Sequence, residues 1–261
     1  GNYQPPPWLA LDWLAWAAAL VAALACLWDV RSKDAVALLY AVGLLACGIA
    51  PGERVGMLLP NSWQYLALLL AMWRTGIVAV PISTRFPSAQ ITALLDDISV
   101  KKLIIESPQS APEFSIFTEI DVHKIVPASV PSPRSDAAHF RPKAIDPQRD
   151  ATVLFTSGSA GQPKAVVHSL QNHDLSAIGA NQNMPFGPGD CWLLSLPLYH
   201  GGGLGILFRA LHGGGAVAVP GASDDMASSL TRQPVTHVSL VATQLFRLLK
   251  NAPAEQTSLT H

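Results

Sequence analysis

Hydrophobic positions along this chain change period repeatedly, from runs at helical spacing to short β-branched runs. The spacing predicts a helix from Ser32 to Cys47 that ends near Gly48, then the turn Pro51-Gly52-Glu53 and a strand from Arg54 to Leu59. Ser62 is placed to cap a helix running to about Thr75, with Gly76 as its stop. Ile77 to Pro81 reads as a short buried strand, Pro87 to Asp97 as a helix, and Lys102 to Ile105 as another strand. From Ser107 to Arg149 the periodicity fades and Pro and Ser accumulate, which predicts connecting loops with room for one strand. Strands are then predicted at Ala151–Phe155 and Ala165–His168, followed by a helix capped by Ser169 to about Asn183 and a strand from Cys191 to Leu196. A helix follows from Gly201-Gly202-Gly203 to about Leu211, then strands at Ala216–Val219 and His237–Val241, and a last helix capped by Thr243 to Lys250.

Strands alternating with helices predict an α/β fold of layered, mostly parallel sheets flanked by helices. The expected division is a first α/β subdomain over 1–106, connecting loops over 107–150, and a second α/β subdomain over 151–261. The uncharged run from Trp13 to Trp28 is bounded by Asp12 and Asp29 and falls short of membrane-spanning length. It reads as an Ala-rich core helix rather than a stable membrane span, and no basic segment before it suggests a signal peptide.

Composition removes several classes of function. Apolar residues make up 49% of the 261 and charged residues 13%, which is unlike a disordered chain. Seventeen basic against eighteen acidic side chains, with no basic stripe, argue against nucleic acid as a partner. Cys26, Cys47 and Cys191 lie far apart in apolar surroundings, which fits buried thiols and a cytoplasmic protein, and the eight histidines show no metal-ligand spacing. No metal ligand is predicted.

One segment stands apart from this background. The apolar strand Ala151–Phe155 stops at Thr156-Ser157-Gly158-Ser159-Ala160-Gly161-Gln162-Pro163-Lys164. Gly158 and Gly161 permit positive φ and close approach of backbone to a ligand. Consecutive N–H groups in such a turn make an anion-binding concavity; Thr156, Ser157 and Ser159 add hydroxyls and Lys164 adds a compact charge. The pattern differs from the common nucleotide P-loop, since Pro163 intervenes, Ala165 follows the lysine, and a strand rather than a helix comes next. The reading is a polyphosphate-holding loop between two strands; the alternative is a Ser/Gly-rich surface turn. His200 lies at the carboxyl end of a predicted strand, where α/β sheets place ligands. The glycines after it either leave room for a ligand or make a tight strand-to-helix turn. His168, His212 and His237 read as structural.

These residues carry a family resemblance. Phe155 to Lys164 resembles the signature loop of adenylate-forming enzymes: acyl-CoA synthetases, luciferases and peptide-synthetase adenylation domains. Gly48-Ile49-Ala50-Pro51-Gly52-Glu53-Arg54-Val55, Leu59-Pro60-Asn61-Ser62, Trp73 to Pro81 and Pro197-Leu198-Tyr199-His200 match further blocks in the same order. Within the family, Pro163-Lys164-Ala165, Trp192 to Leu198 and Thr236 to Val241 with Thr243-Gln244-Leu245 resemble the o-succinylbenzoate–CoA ligases of menaquinone biosynthesis. Ala160, Ala242 and the run Gly201-Gly202-Gly203 depart from the usual pattern; Ala160 removes a hydroxyl, and the glycines leave acyl specificity open.

The resemblance implies ATP-dependent activation of a carboxylic acid to an acyl-adenylate, then a CoA thioester, with ATP and CoA as substrates and Mg²⁺ as cofactor. It assigns Thr156, Ser157, Gly158, Ser159, Gly161 and Lys164 to the nucleotide phosphates. His200 is assigned a catalytic and substrate-binding place, with Gly201 and Gly202 beside it. The acid is expected to be o-succinylbenzoate. Another acyl- or aryl-CoA ligase, and a non-catalytic phosphate-binding fold, stand as alternatives; a homo-oligomer is compatible with either. The family's adenine-binding segment, metal-binding glutamate and C-terminal lysine have no match here, so the chain is expected to correspond to the amino-terminal part of a ligase, inactive alone.

Overall fold

Val55 and Met57 are fully buried on one face of the first strand, β1 (Arg54–Leu58), and Gly56 between them is buried on the other, so both faces of the strand are covered. A strand buried on two sides reads as a continuous apolar run rather than an alternating one. The computed structural model describes residues 40–41, 43–45, 47–106, 114–125, 145–156, 163–221 and 224–251. The predicted helix at Trp13 to Trp28 and most of the one at Ser32 to Cys47 lie outside these residues.

Six strands form one sheet in the order β4-β3-β1-β2-β5-β6. After β1 the chain runs through α1 (Trp63–Thr75), β2 (Val78–Pro81), α2 (Ser88–Asp97), β3 (Lys102–Ile105), β4 (Thr118–Asp121) and α3 (Val122–Ile125). It continues through β5 (Asp150–Thr156), β6 (Lys164–Ser169) and α4 (Leu170–Asn183). All neighbours in this sheet are parallel except β5 and β6, which form an antiparallel hairpin. A smaller parallel sheet, β8-β7-β9, is built from β7 (Cys191–Leu193), β8 (Ala216–Ala218) and β9 (His237–Val238). Helices α5 (Gly201–Gly213), α6 (Met226–Arg232) and α7 (Ala242–Asn251) complete the fold.

The helix ends follow their local chemistry. Ser62 Oγ accepts from Tyr65 N at 3.2 Å at the start of α1, and Gly76 closes that helix with φ 83°. A residue with a Cβ would be strained there. Ser169 and Asn172 form a reciprocal capping box on α4, Asn172 N donating to Ser169 Oγ and Ser169 N to Asn172 Oδ1. Between the sheets, α1 buries Tyr65, Leu68, Leu69, Met72 and Trp73 in one core with Trp192, Leu204 and Phe208. Each such side chain contributes about 1.5–3 kcal/mol by leaving water.

Several expectations need correction. The strands on either side of the Thr156–Lys164 loop extend the first sheet, so the chain passes from the large sheet to the small one after Ser169. The stretch 107–150 holds the one strand that the sequence allowed, β4, and also the short helix α3, which it did not predict. β7 stops at Leu193 instead of Leu196, because Asn61 Nδ2 captures Leu196 O at 2.8 Å and draws the chain out of the ladder. β9 is limited to His237–Val238. The last helix begins at Ala242, so Thr243 lies inside its first turn. The Gln244 side chain, not a threonine hydroxyl, accepts from Val241 N, at 3.0 Å.

Candidate active site

Because β1, β2 and β5 are parallel, their carboxyl ends share one edge of the large sheet. Asn61 follows β1, Arg85 follows β2, and Thr156 ends β5 at this edge. The small sheet brings its own carboxyl side there. Asn61 Oδ1 accepts from Leu198 N at 2.9 Å while its Nδ2 donates to Leu196 O, fixing the segment after β7 against the end of β1. One asparagine side chain thereby joins the two sheets where ligands of such folds are held.

The hairpin places the two described ends of the loop expected to hold phosphate, Thr156 and Lys164. Thr156 and Lys164 are its last cross-strand pair, both exposed, with Thr156 Oγ1 3.5 Å from Lys164 O. Antiparallel pairing turns the chain straight back, so the lysine returns beside the threonine that opened the loop. Ser157, Gly158, Ser159 and Gly161 lie outside the described residues.

His200 sits at the amino-terminal cap of α5 with extended backbone, φ −118° and ψ 149°, and its side chain makes no capping bond. The residue as a whole is exposed, but its ring rests edge-on against Tyr199 at 4.7 Å between centroids, and this partial burial, then the Arg85 guanidinium, holds it below the ordinary histidine value. The imidazole is therefore neutral at physiological pH. Arg85 comes from the large sheet and His200 from the small one, so the two sheets meet electrostatically here.

The three glycines have different roles. A Cβ on Gly201 would meet nothing within 4 Å, and one on Gly202 would meet only the end of Leu196 at 2.9 Å. On Gly203 it would stand 2.1 Å from Pro197 O. Gly203 is the glycine that the tight turn requires, while Gly201 and Gly202 are exposed and leave space. Among the described residues no hydrogen bond joins the Thr156–Lys164 pair to the His200 turn; they share an edge, not a contact.

The arrangement beneath the hairpin was not anticipated from sequence. His173 on α4 lies 2.6 Å from Thr152 Oγ1, stacks on Phe208 of α5 at 4.5 Å and on His168 of β6 at 5.2 Å. Burial, then His168, pushes its basicity down to a pKa of about 4. The Nδ1 of His168 is buried without a hydrogen-bond partner. A groove of about 580 Å³ lined by Arg74, Gly76 and Arg149 lies at the opposite edge, by the amino ends of β1, β2 and β5, and does not belong to this site. Among the described residues no three His, Cys, Asp or Glu side chains gather as a metal site, so no metal ligand is assigned to them. No helix among them is long and apolar enough to cross a membrane.

Residues 31–261, which include the hairpin closed by Thr156 and Lys164 at the carboxyl edge of the large sheet, match the AMP-binding enzyme family model. The chain belongs to the AMP-binding enzyme family. Over 212 residues, 81% of this chain, it is 36% identical to the 2-succinylbenzoate–CoA ligase of Salmonella typhimurium. The alignment takes in 43% of that relative, so the chain spans less than half of its length. Among solved structures it is similar to Bacillus subtilis o-succinylbenzoate CoA synthetase (MenE) in complex with the acyl-adenylate intermediate OSB-AMP. That likeness has a TM-score of 0.73 and 27% identity, over 84% of this chain and 57% of that one. The same Bacillus enzyme in complex with ATP and magnesium ion gives a TM-score of 0.70 at 26% identity, over 85% and 60%.

Proposed function

We propose that this chain supplies the phosphate-binding and acyl-side parts of an ATP-dependent acid–thiol ligase that acts on o-succinylbenzoate. The observation that carries the reading is the hairpin closed by Thr156 and Lys164 at the carboxyl edge of the parallel sheet. The relatives that act on 2-succinylbenzoate, and the solved relative holding an acyl-adenylate, support the choice of acid.

A carboxylate is a poor electrophile, so it first needs a good leaving group. One carboxylate oxygen attacks the α-phosphorus of ATP, the bond to the bridging oxygen breaks, and pyrophosphate departs with the electron pair. CoA sulfur then attacks the acyl carbon and AMP leaves. In the first step negative charge grows on the β and γ phosphates. Lys164, the hydroxyls of Thr156, Ser157 and Ser159, and the N–H groups at Gly158 and Gly161 are the donors that would meet that charge, and preorganised donors stabilise the transition state without reorganising. His200, neutral and flanked by the open space at Gly201 and Gly202, bounds the acyl side. Its uncharged ring accepts or donates a hydrogen bond without adding a cation beside the acyl group.

The test is pyrophosphate release by the enzyme carrying this chain, with o-succinylbenzoate compared against benzoate and medium-chain fatty acids. A preference for o-succinylbenzoate of a hundredfold or more in kcat/KM, about 2.7 kcal/mol by transition-state arithmetic, is expected. Equal rates with simpler acids favour a second reading, a broader acyl- or aryl-CoA ligase, to which the open space at Gly201 points. No release with any acid would leave a phosphate-binding fold without catalysis.

A further inference from the structure

We propose that His173 is a positioning residue for the phosphate-binding hairpin. Its imidazole ties the base of β5 and β6 to α5, so that Thr156 and Lys164 keep their place relative to the His200 turn. The inference rests on the function proposed above.

The geometry is specific to this ring. Thr152, fully buried, sits four positions before Thr156 on β5 and faces His168 across the ladder. The ladder is irregular between Asp150 and Thr152, and Trp73 Nε1 of α1 donates to Ala151 O, at that irregularity, at 3.2 Å. His173 closes the remaining sides. It bonds Thr152 Oγ1 at 2.6 Å, lies nearly parallel to Phe208 at 12°, and stacks on His168 at 28°. Phe208 in turn packs on Trp73 at 4.7 Å between centroids. One side chain therefore touches both strands of the hairpin and the helix that begins at the acyl-side turn. A ring that served only to fill space would leave the Thr152 hydroxyl, buried in the core, without its partner, which is costly.

Three variants separate positioning from packing: His173→Phe keeps the ring and loses the bond, Thr152→Val keeps the shape and loses the hydroxyl, and the third combines them. In the enzyme carrying this chain, each single change is expected to raise KM for ATP by roughly three- to tenfold, the loss typical of one hydrogen bond. KM for the acid should stay within about twofold of wild type, and the double variant should be no worse than the weaker single, because both remove the same bond. Amide exchange at 153–156 and 164–167 should speed up in both singles. Unchanged ATP KM and unchanged exchange in folded Thr152→Val would overturn the proposal, as would additive effects in the double variant. If wild type releases no pyrophosphate, the functional reading fails by itself; faster hairpin exchange still supports the tie, and unchanged exchange rejects it.

Discussion

Asn61 and Leu198 are 137 positions apart in the chain, yet the Asn61 side chain accepts the Leu198 N–H at 2.9 Å. The same amide donates to Leu196 O at 2.8 Å. The approach to the His200 turn is thus fixed by the strand end of another sheet. Removing the amide leaves a half-buried N–H without an acceptor, so Asn61→Ala should cost about 1–3 kcal/mol in stability. It should also raise KM for the acid more than for ATP, since the turn proposed to bound the acyl side loses its anchor. Chemical denaturation with paired steady-state kinetics checks both; equal changes in the two KM values would remove the special link to the turn.

Lys164 is exposed at the exit of the hairpin, opposite Thr156. Lys164→Ala in the enzyme carrying this chain should slow adenylation by about 2–4 kcal/mol of transition-state stabilisation, the usual loss for one charge-stabilising donor. Stability should hardly change, because the ammonium is solvated. Single-turnover pyrophosphate release measures this, and unaltered kinetics would exclude the lysine from the phosphate site.

The glycine run yields a graded expectation. Gly203→Ala places a Cβ 2.1 Å from Pro197 O and should destabilise by roughly 1–3 kcal/mol, as overpacking does. Gly201→Ala meets nothing within 4 Å and should leave the melting temperature alone. Gly202→Leu displaces the tip of Leu196 and fills exposed space, so KM for the acid should rise far more than KM for ATP. If all three variants behave alike, the run is only a turn.

His173 sets an acid limit on stability. Burial, then His168, holds its folded-state pKa near 4, below the ordinary 6.5. Below pH 6.5 the unfolded chain takes up a proton that the folded ring refuses. The stabilisation is complete above pH 6.5 and is lost progressively as pH falls towards 4, by about 3 kcal/mol for a shift of this size. Thermal unfolding at pH 7.5 and 4.5 should show a steeper loss for wild type than for His173→Phe. Parallel curves would show that another group controls the acid limb.

What was legible in sequence was local. Ser62, Gly76 and Ser169 act within a few residues of themselves, and all three cap helices as their types suggest. The loop from Thr156 to Lys164 was visible because its glycines, hydroxyls and lysine are consecutive. Sheet membership was not, because the pairing of β5 with β2 depends on a partner far upstream that leaves no mark on β5 itself. His173 was missed for the same reason: Thr152, His168 and Phe208 come from three other elements. The one local hint was a second histidine on the first turn of α4, five residues after His168. Thr243 misled because the neighbouring Gln244 competes for the same backbone N–H with a longer reach.

The mixed strand pairing also bears on the order in which the chain folds. β5 and β6 are neighbours in sequence and close on each other through a short connection, so their ladder carries little loop-closure entropy. β5 finds β2 only across the whole excursion through β3 and β4, where Ala79 meets Thr152. Local pairing is fast and non-local pairing slow, so the hairpin forms first and its docking sets the pace. Until it docks, β2 is an edge strand with unpaired backbone groups. During synthesis that edge stays uncovered until the chain has emerged beyond Thr156, which makes the interval between β4 and β5 the stage most exposed to aggregation.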